Sequence, residues 1–127
     1  NAYLLYKELN LSAMQEACQF LLGKQDFTSF SKLHTQTFTN NCTIMQACWD
    51  KKENEIIFTI KADRFLRNMV RAIVGTLLEV GKNKILPHTI KDIIAKKNRC
   101  MAGVSVPANA LSLIKIEYPK YIINDSK

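Results

Sequence analysis

Histidine is almost missing from this 127-residue chain: only His34 and His88 occur, and neither has a cysteine or acidic cluster beside it. A metal site is therefore not expected, because structural and catalytic sites draw several His, Cys, Asp or Glu ligands together. Four cysteines are present, Cys18, Cys42, Cys48 and Cys100, but no two have zinc-knuckle or redox-motif spacing. Cys42 and Cys48 fall in one expected strand, where six residues span roughly 20 Å, too far for a disulfide. Reduced thiols of a cytoplasmic protein are the simplest expectation. No apolar run reaches the length of a membrane span, and no segment resembles a secretory signal. Without such a signal the sequon Asn41-Cys42-Thr43 carries little weight. Internal repeats and low-complexity tracts are also missing.

What is present is a basic, core-forming chain. Eighteen Lys and Arg against eleven Asp and Glu give a formal charge of +7, and 47% of residues are apolar. That length and apolar content fit one folded domain. The positive excess favours a polyanionic partner, since basic domains attract nucleic acid through its phosphates. The sequence opens with Asn1-Ala2 rather than methionine. Residues 1–10 are accordingly expected to be a tag scar or a linker from an upstream half, 11–119 a domain, and 120–127 a loose tail.

Local patterns predict the elements. In 12–23, Met14, Ala17, Cys18, Leu21 and Leu22 follow helical spacing; Ser12 and Gln15 suggest a capping box, and Gly23 a left-handed stop. Two strands are expected at 39–49 and 56–60, joined by the polar turn 51–55 as an antiparallel hairpin. A long helix is expected over 63–80, with Asp63 as N-cap and Gly81 as its end. A shorter helix begins near Pro87, turns Ile90, Ile93 and Ile94 inward, and ends on Lys96-Lys97-Asn98. A last strand is expected over 111–118. The order α, β, β, α, α, β predicts an α+β fold with a mostly antiparallel sheet and helices on one face.

On a wheel of the long helix, Arg67, Arg71 and Arg64 fall on one margin of the apolar arc, at roughly 100°, 140° and 160° from Leu66. Gly75 follows one turn after Arg71, leaving room above it. These arginines read either as a solvated flank or as guanidinium groups reaching a cleft, and Arg71 suits the cleft best. There it could take a carboxylate in bidentate geometry or hold a phosphate. Phe27, Phe30, Trp49 and Tyr118 read either as core residues or as platforms for stacking bases.

Four segments then resemble one family in order and spacing. The run Ala62-Asp63-Arg64-Phe65-Leu66-Arg67-Asn68-Met69-Val70-Arg71-Ala72-Ile73-Val74-Gly75 is similar to the central motif of the tRNA pseudouridine synthase A family. Gly23-Lys24-Gln25-Asp26-Phe27-Thr28-Ser29-Phe30 resembles its Gly-x-His-Asp-Phe-x-Ser-Phe, with Gln25 in place of the histidine. Leu78-Glu79-Val80-Gly81 resembles its helix end. Arg99 to Gly103, Pro107 to Leu113 and Tyr118-Pro119 resemble its C-terminal strand block. Within that block Ser105-Val106 stand where Thr-Ala is common, and Ala110 stands where Gly usually precedes Leu111.

The resemblance implies the C-terminal domain of an isomerase that turns uridine into pseudouridine in the tRNA anticodon stem-loop, at positions thirty-eight to forty. It implies no cofactor and no metal. It implies a homodimer that holds tRNA in basic clefts, and an N-terminal half of the same chain that carries the catalytic aspartate and an active-site tyrosine. No Gly-Arg-Thr-Asp motif occurs in this sequence, and Asp26, Asp50, Asp63, Asp92 and Asp125 lack that context. Arg71 matches the arginine that pairs with the catalytic aspartate. Leu111 matches the apolar residue of the base pocket; by its pattern alone it is an ordinary strand-core leucine. Arg67 and Arg64 are expected to bind tRNA phosphates. The chain alone is expected to be inactive. The alternative is a non-catalytic RNA-binding or dimerisation module.

Overall fold

The computed structural model describes residues 9–31, 39–52, 55–103, 105–106 and 114–117. Four strands form one sheet in the order β1-β2-β3-β4: β1 Gly23–Asp26, β2 Asn41–Lys52, β3 Glu55–Ala62 and β4 Ile114–Glu117. The first three are antiparallel neighbours, and β4 lies parallel to β3. The helices are α1 Leu11–Cys18, α2 Met69–Gly81 and α3 Thr89–Lys96. Short 3-10 turns at Gln19–Leu21, Thr28–Phe30 and Arg99–Met101 complete the described elements. This is the expected α+β arrangement with a mostly antiparallel sheet.

One face of the sheet is the core face. Ile56, Phe58, Ile60 and Ala62 alternate along β3 and are buried, as the two-residue period of a strand requires. On β2 the buried positions are Cys42 and Ile44, then Trp49, which do not share one parity. The pairing explains the switch. Ile44 opposes Ala62 and Gln46 opposes Lys61, so Met45 is an extra, bulged residue. A one-residue insertion turns the rest of the strand over. It brings Trp49 onto Phe58, with ring centroids 4.7 Å apart.

α1 packs on β2 and α2, and α3 packs on β1. Helix α2 is the central one: Met69, Val70, Ala72, Ile73, Val74, Leu77 and Val80 are all buried. Fully burying a methionine, valine, isoleucine or leucine contributes about 1.5–3 kcal/mol each, and the alanine less. Phe27, Phe30 and Trp49 are buried core residues rather than stacking platforms; Tyr118 lies outside the described residues.

Several expected boundaries differ from the structure. Asn10, not Ser12, caps α1: its side chain accepts from Ala13 N–H over 3.1 Å. Gln15 is drawn away from capping by the sheet, accepting from Trp49 N–H over 2.8 Å and donating to Trp49 C=O over 3.2 Å. Gly23 has φ +92, but it opens β1 rather than ending the helix. The side chain of Gln25 supplies the missing stop, donating over 3.0 Å to the carbonyls of both Phe20 and Leu22. Pro87 lies in a turn ahead of α3, whose N-cap is His88. Ile90, Ile93 and Ile94 do face inward, and Lys97 closes α3 at φ 51.

The Asp-Phe-x-Ser-Phe segment is a folding device. Asp26 Oδ1 accepts from Thr28 N–H and from its hydroxyl, shaping the turn. Phe27 and Phe30 enter the core. Buried Ser29 donates its hydroxyl to Ile93 C=O over 2.6 Å and accepts from Asn98 N–H over 2.8 Å.

Candidate functional site

The largest departure from the sequence pattern lies ahead of α2. The expected helix over 63–80 begins only at Met69. Asp63 is not a helix cap. Its carboxylate accepts from Thr43 N–H over 2.8 Å, and its own N–H donates to Thr43 C=O over 3.1 Å, which prolongs the β2–β3 pairing past Ala62. Asn68, the residue before the helix, has φ 67 and ψ 4, a left-handed conformation that is uncommon outside glycine but accessible to asparagine. This sharp corner starts the helix afresh.

Arg64 and Arg67 therefore do not share a helical wheel with Arg71. Arg64 folds back on β2: its Nη1 donates to Thr39 C=O over 2.8 Å and to Asn41 C=O over 3.1 Å. Arg67 is exposed. Arg71 sits in the first turn of α2, half-buried. Gly75, one turn on, is buried within the same helix. Leu111 lies outside the described residues.

Arg71 is clasped by the segment that follows α3. Its Nε donates to Val106 C=O over 2.7 Å, and Val106 N–H donates to Arg71 C=O over 3.2 Å. None of the described residues accepts from its two Nη groups. A recess of about 160 Å³ opens beside it, lined by Leu66, Asn68, Met69, Val70 and Arg71. A fixed guanidinium beside an apolar recess can orient and stabilise an anion such as a carboxylate.

The clasping segment is itself tied to α2 at two further points. Ser105 Oγ accepts from Asn68 Nδ2 over 2.7 Å and from Arg99 Nη2 over 2.8 Å. Gly103 N–H donates to Thr76 Oγ1 over 2.8 Å, while Arg99 Nη1 donates to Gly103 C=O over 2.9 Å. Reasoning from sequence missed Asn68, Arg99, Ser105 and Val106. Asn68 and Arg99 do lie in the motif runs, but only the fold brings them to one oxygen.

A larger hollow of about 620 Å³ lies against α3, lined by Thr89, Asp92, Ala95, Lys96 and Met101; it shares no residue with the Arg71 recess. Among the described residues no three His, Cys, Asp or Glu side chains converge as metal ligands. The buried thiols are chemically quiet. Burial first, and then the neighbouring Cys48, leave the Cys18 thiol pushed up to about 12. Burial also raises Cys42 to about 11, against the opposing charge of Arg64.

Fold and site together define an α+β domain that presents one loop-clasped arginine from the first turn of a buried helix. The sequence profile of the tRNA pseudouridine synthases matches residues 17–119, and the chain belongs to that family. It is 53% identical over 123 residues to the tRNA pseudouridine synthase A of Parabacteroides distasonis, covering 94% of this chain and 49% of that one. It is 52% identical over 126 residues to that of Bacteroides thetaiotaomicron, covering 97% and 47%. A more distant relative, the tRNA pseudouridine synthase A of Clostridium acetobutylicum, is 47% identical over 111 residues, covering 87% and 46%. The chain spans about half the length of the curated relatives it matches.

Proposed function

We propose that this chain is the C-terminal domain of a tRNA pseudouridine synthase that isomerises uridine to pseudouridine at positions thirty-eight to forty of the anticodon stem-loop. Residues 11–119 form that domain, 1–10 lead into it from an upstream half, and 120–127 are a tail. The upstream half carries the catalytic aspartate and tyrosine, and two such chains pair as a cytoplasmic homodimer that holds tRNA in basic clefts. No cofactor or metal takes part.

The observation that carries this reading is the clasp on Arg71. With Nε held by Val106, the guanidinium has a fixed plane and both Nη groups in hand for a carboxylate. A guanidinium so placed keeps an aspartate ionised and oriented, which nucleophilic or base chemistry on the uracil requires. Leu111 packs against the uracil ring and keeps water out. Arg67 contributes a phosphate contact, and Arg64 a lesser one because its Nη1 holds β2.

The test is pseudouridine formation on a tRNA transcript. The full-length protein turns over, whereas Arg71→Ala in it abolishes turnover and leaves tRNA affinity mostly intact. The 127-residue chain alone forms no pseudouridine, because its sequence holds no Gly-Arg-Thr-Asp motif. Turnover by that chain, or near-normal turnover by Arg71→Ala, would overturn the assignment. Tight tRNA binding by a full-length protein without any turnover would favour the alternative of a non-catalytic RNA-binding or dimerisation module.

A further inference from the structure

Arg71 is only as well placed as the segment that clasps it, and three side chains fix that segment. Asn68 Nδ2 and Arg99 Nη2 both donate to Ser105 Oγ, over 2.7 and 2.8 Å. A hydroxyl oxygen accepts through two lone pairs, so both are engaged. Ser105 is followed directly by Val106, whose carbonyl receives Arg71 Nε over 2.7 Å. Asn68 holds its left-handed φ of 67 at the same place. Such a conformation persists where surrounding contacts determine it.

We infer that Asn68, Ser105 and Arg99 are positioning residues for Arg71. Donors from α2's leading corner and from the Arg99–Met101 turn converge on Ser105 Oγ. That oxygen sets the Val106 carbonyl, and the carbonyl sets the guanidinium plane. Because the carbonyl occupies Nε, Arg71 meets a carboxylate through its Nη1–Nη2 end and not through its Nε side. This rests on the proposed pairing of Arg71 with a catalytic aspartate. When the clamp is released the guanidinium turns, and the carboxylate it stabilises becomes easier to protonate.

The experiment is steady-state pseudouridine formation by the full-length protein on a tRNA transcript, from mildly acidic to mildly alkaline pH. It compares wild type, Arg71→Ala, Ser105→Ala, Ser105→Thr and Asn68→Gly. Ser105→Ala and Asn68→Gly are each expected to lower kcat by about 10- to 100-fold, the loss that follows misplacement of a catalytic group. KM for tRNA stays nearly constant, and the acidic limb of the profile moves to higher pH. Ser105→Thr keeps the acceptor oxygen and restores kcat. Asn68→Gly suits the left-handed backbone and deletes only the amide, so it keeps its melting temperature while losing turnover.

If Ser105→Ala and Asn68→Gly keep kcat and the wild-type pH profile while Arg71→Ala is dead, the clamp is refuted and the proposed function stands. A loss confined to KM or tRNA affinity makes the segment an RNA contact and refutes the clamp as well. If Arg71→Ala is active, the proposed function and the clamp fall together.

Discussion

Arg71 and Val106 hold each other in both directions. The side chain of Arg71 donates to the Val106 carbonyl over 2.7 Å, and the Val106 N–H donates to the Arg71 carbonyl over 3.2 Å. One bond fixes a side chain and the other fixes a backbone, so segment and helix cannot shift without breaking both. Lysine could keep the charge but has no Nε–H in a planar fork. The identity of the residue therefore matters as much as its sign.

The arginines ahead of α2 separate into two roles. Arg64→Ala removes two hydrogen bonds to the carbonyls of Thr39 and Asn41. Because the group is half-exposed, the expected cost is about 1 kcal/mol of stability. Arg67→Ala changes no such contact; it is expected to weaken tRNA binding and lower the salt slope by about one. Urea melts beside binding titrations at several salt concentrations distinguish the two. Equal effects of both variants on stability would contradict the separation.

Ser29 is the buried link between the turn after β1 and the end of α3. Ser29→Ala leaves the Ile93 carbonyl and the Asn98 N–H without this partner. The expected loss is about 2 kcal/mol, or roughly 6–10 °C in melting temperature. An unchanged melt would show that water or a neighbour replaces the hydroxyl.

Where local pattern coincided with burial, the elements were legible. Ile90, Ile93 and Ile94 announce α3, and the alternation at Ile56, Phe58 and Ile60 announces β3. The residues of β1, Gly-Lys-Gln-Asp, contain no strong strand former, so that strand exists through its pairing with β2 and could not be read locally. The start of α2 was misread because Leu66, Met69 and Val70 continue the helical period backwards. Nothing in that period reveals that Asp63 bonds Thr43 or that Asn68 adopts a positive φ. Arg71 itself was legible from its flank position and motif. Its clasp was not, because Arg71 and Val106 are thirty-five residues apart in sequence.

The buried thiols predict an alkaline loss of stability. An unperturbed thiol ionises near 9.0, whereas the fold raises Cys18 to about 12 and Cys42 to about 11. Folding thus favours the protonated form. That contribution is full below the unfolded value and disappears as pH rises through the folded values. Unfolding free energy should fall above about pH 9, and Cys18→Ala should flatten that fall. A thiol reagent at neutral pH should modify exposed Cys100 first and reach Cys18 and Cys42 only on unfolding. Rapid labelling of Cys18 in the folded protein would contradict this.

Gly103 is where the proposed clasp on Arg71 meets the packing of α2. A Cβ added there would lie 3.1 Å from Thr76 Cα and 3.2 Å from the Glu79 carboxyl group. Glu79 can swing away, but Thr76 Cα belongs to the buried helix α2 and cannot yield cheaply. Gly103→Ala must therefore lift the segment off the helix and stretch the bond from Gly103 N–H to Thr76 Oγ1. Overpacking of this kind costs about 1–3 kcal/mol. Ser105 and Val106 lie two and three residues further on, so the same displacement reaches the clasp on Arg71. The full-length Gly103→Ala protein should lose both stability and kcat. Thr76→Val removes the acceptor hydroxyl without adding volume, and it should lose stability by a similar amount. Both changes break one contact, so the double variant should cost clearly less than the sum of the singles. Additive losses would mean that Gly103 and Thr76 act on the segment independently.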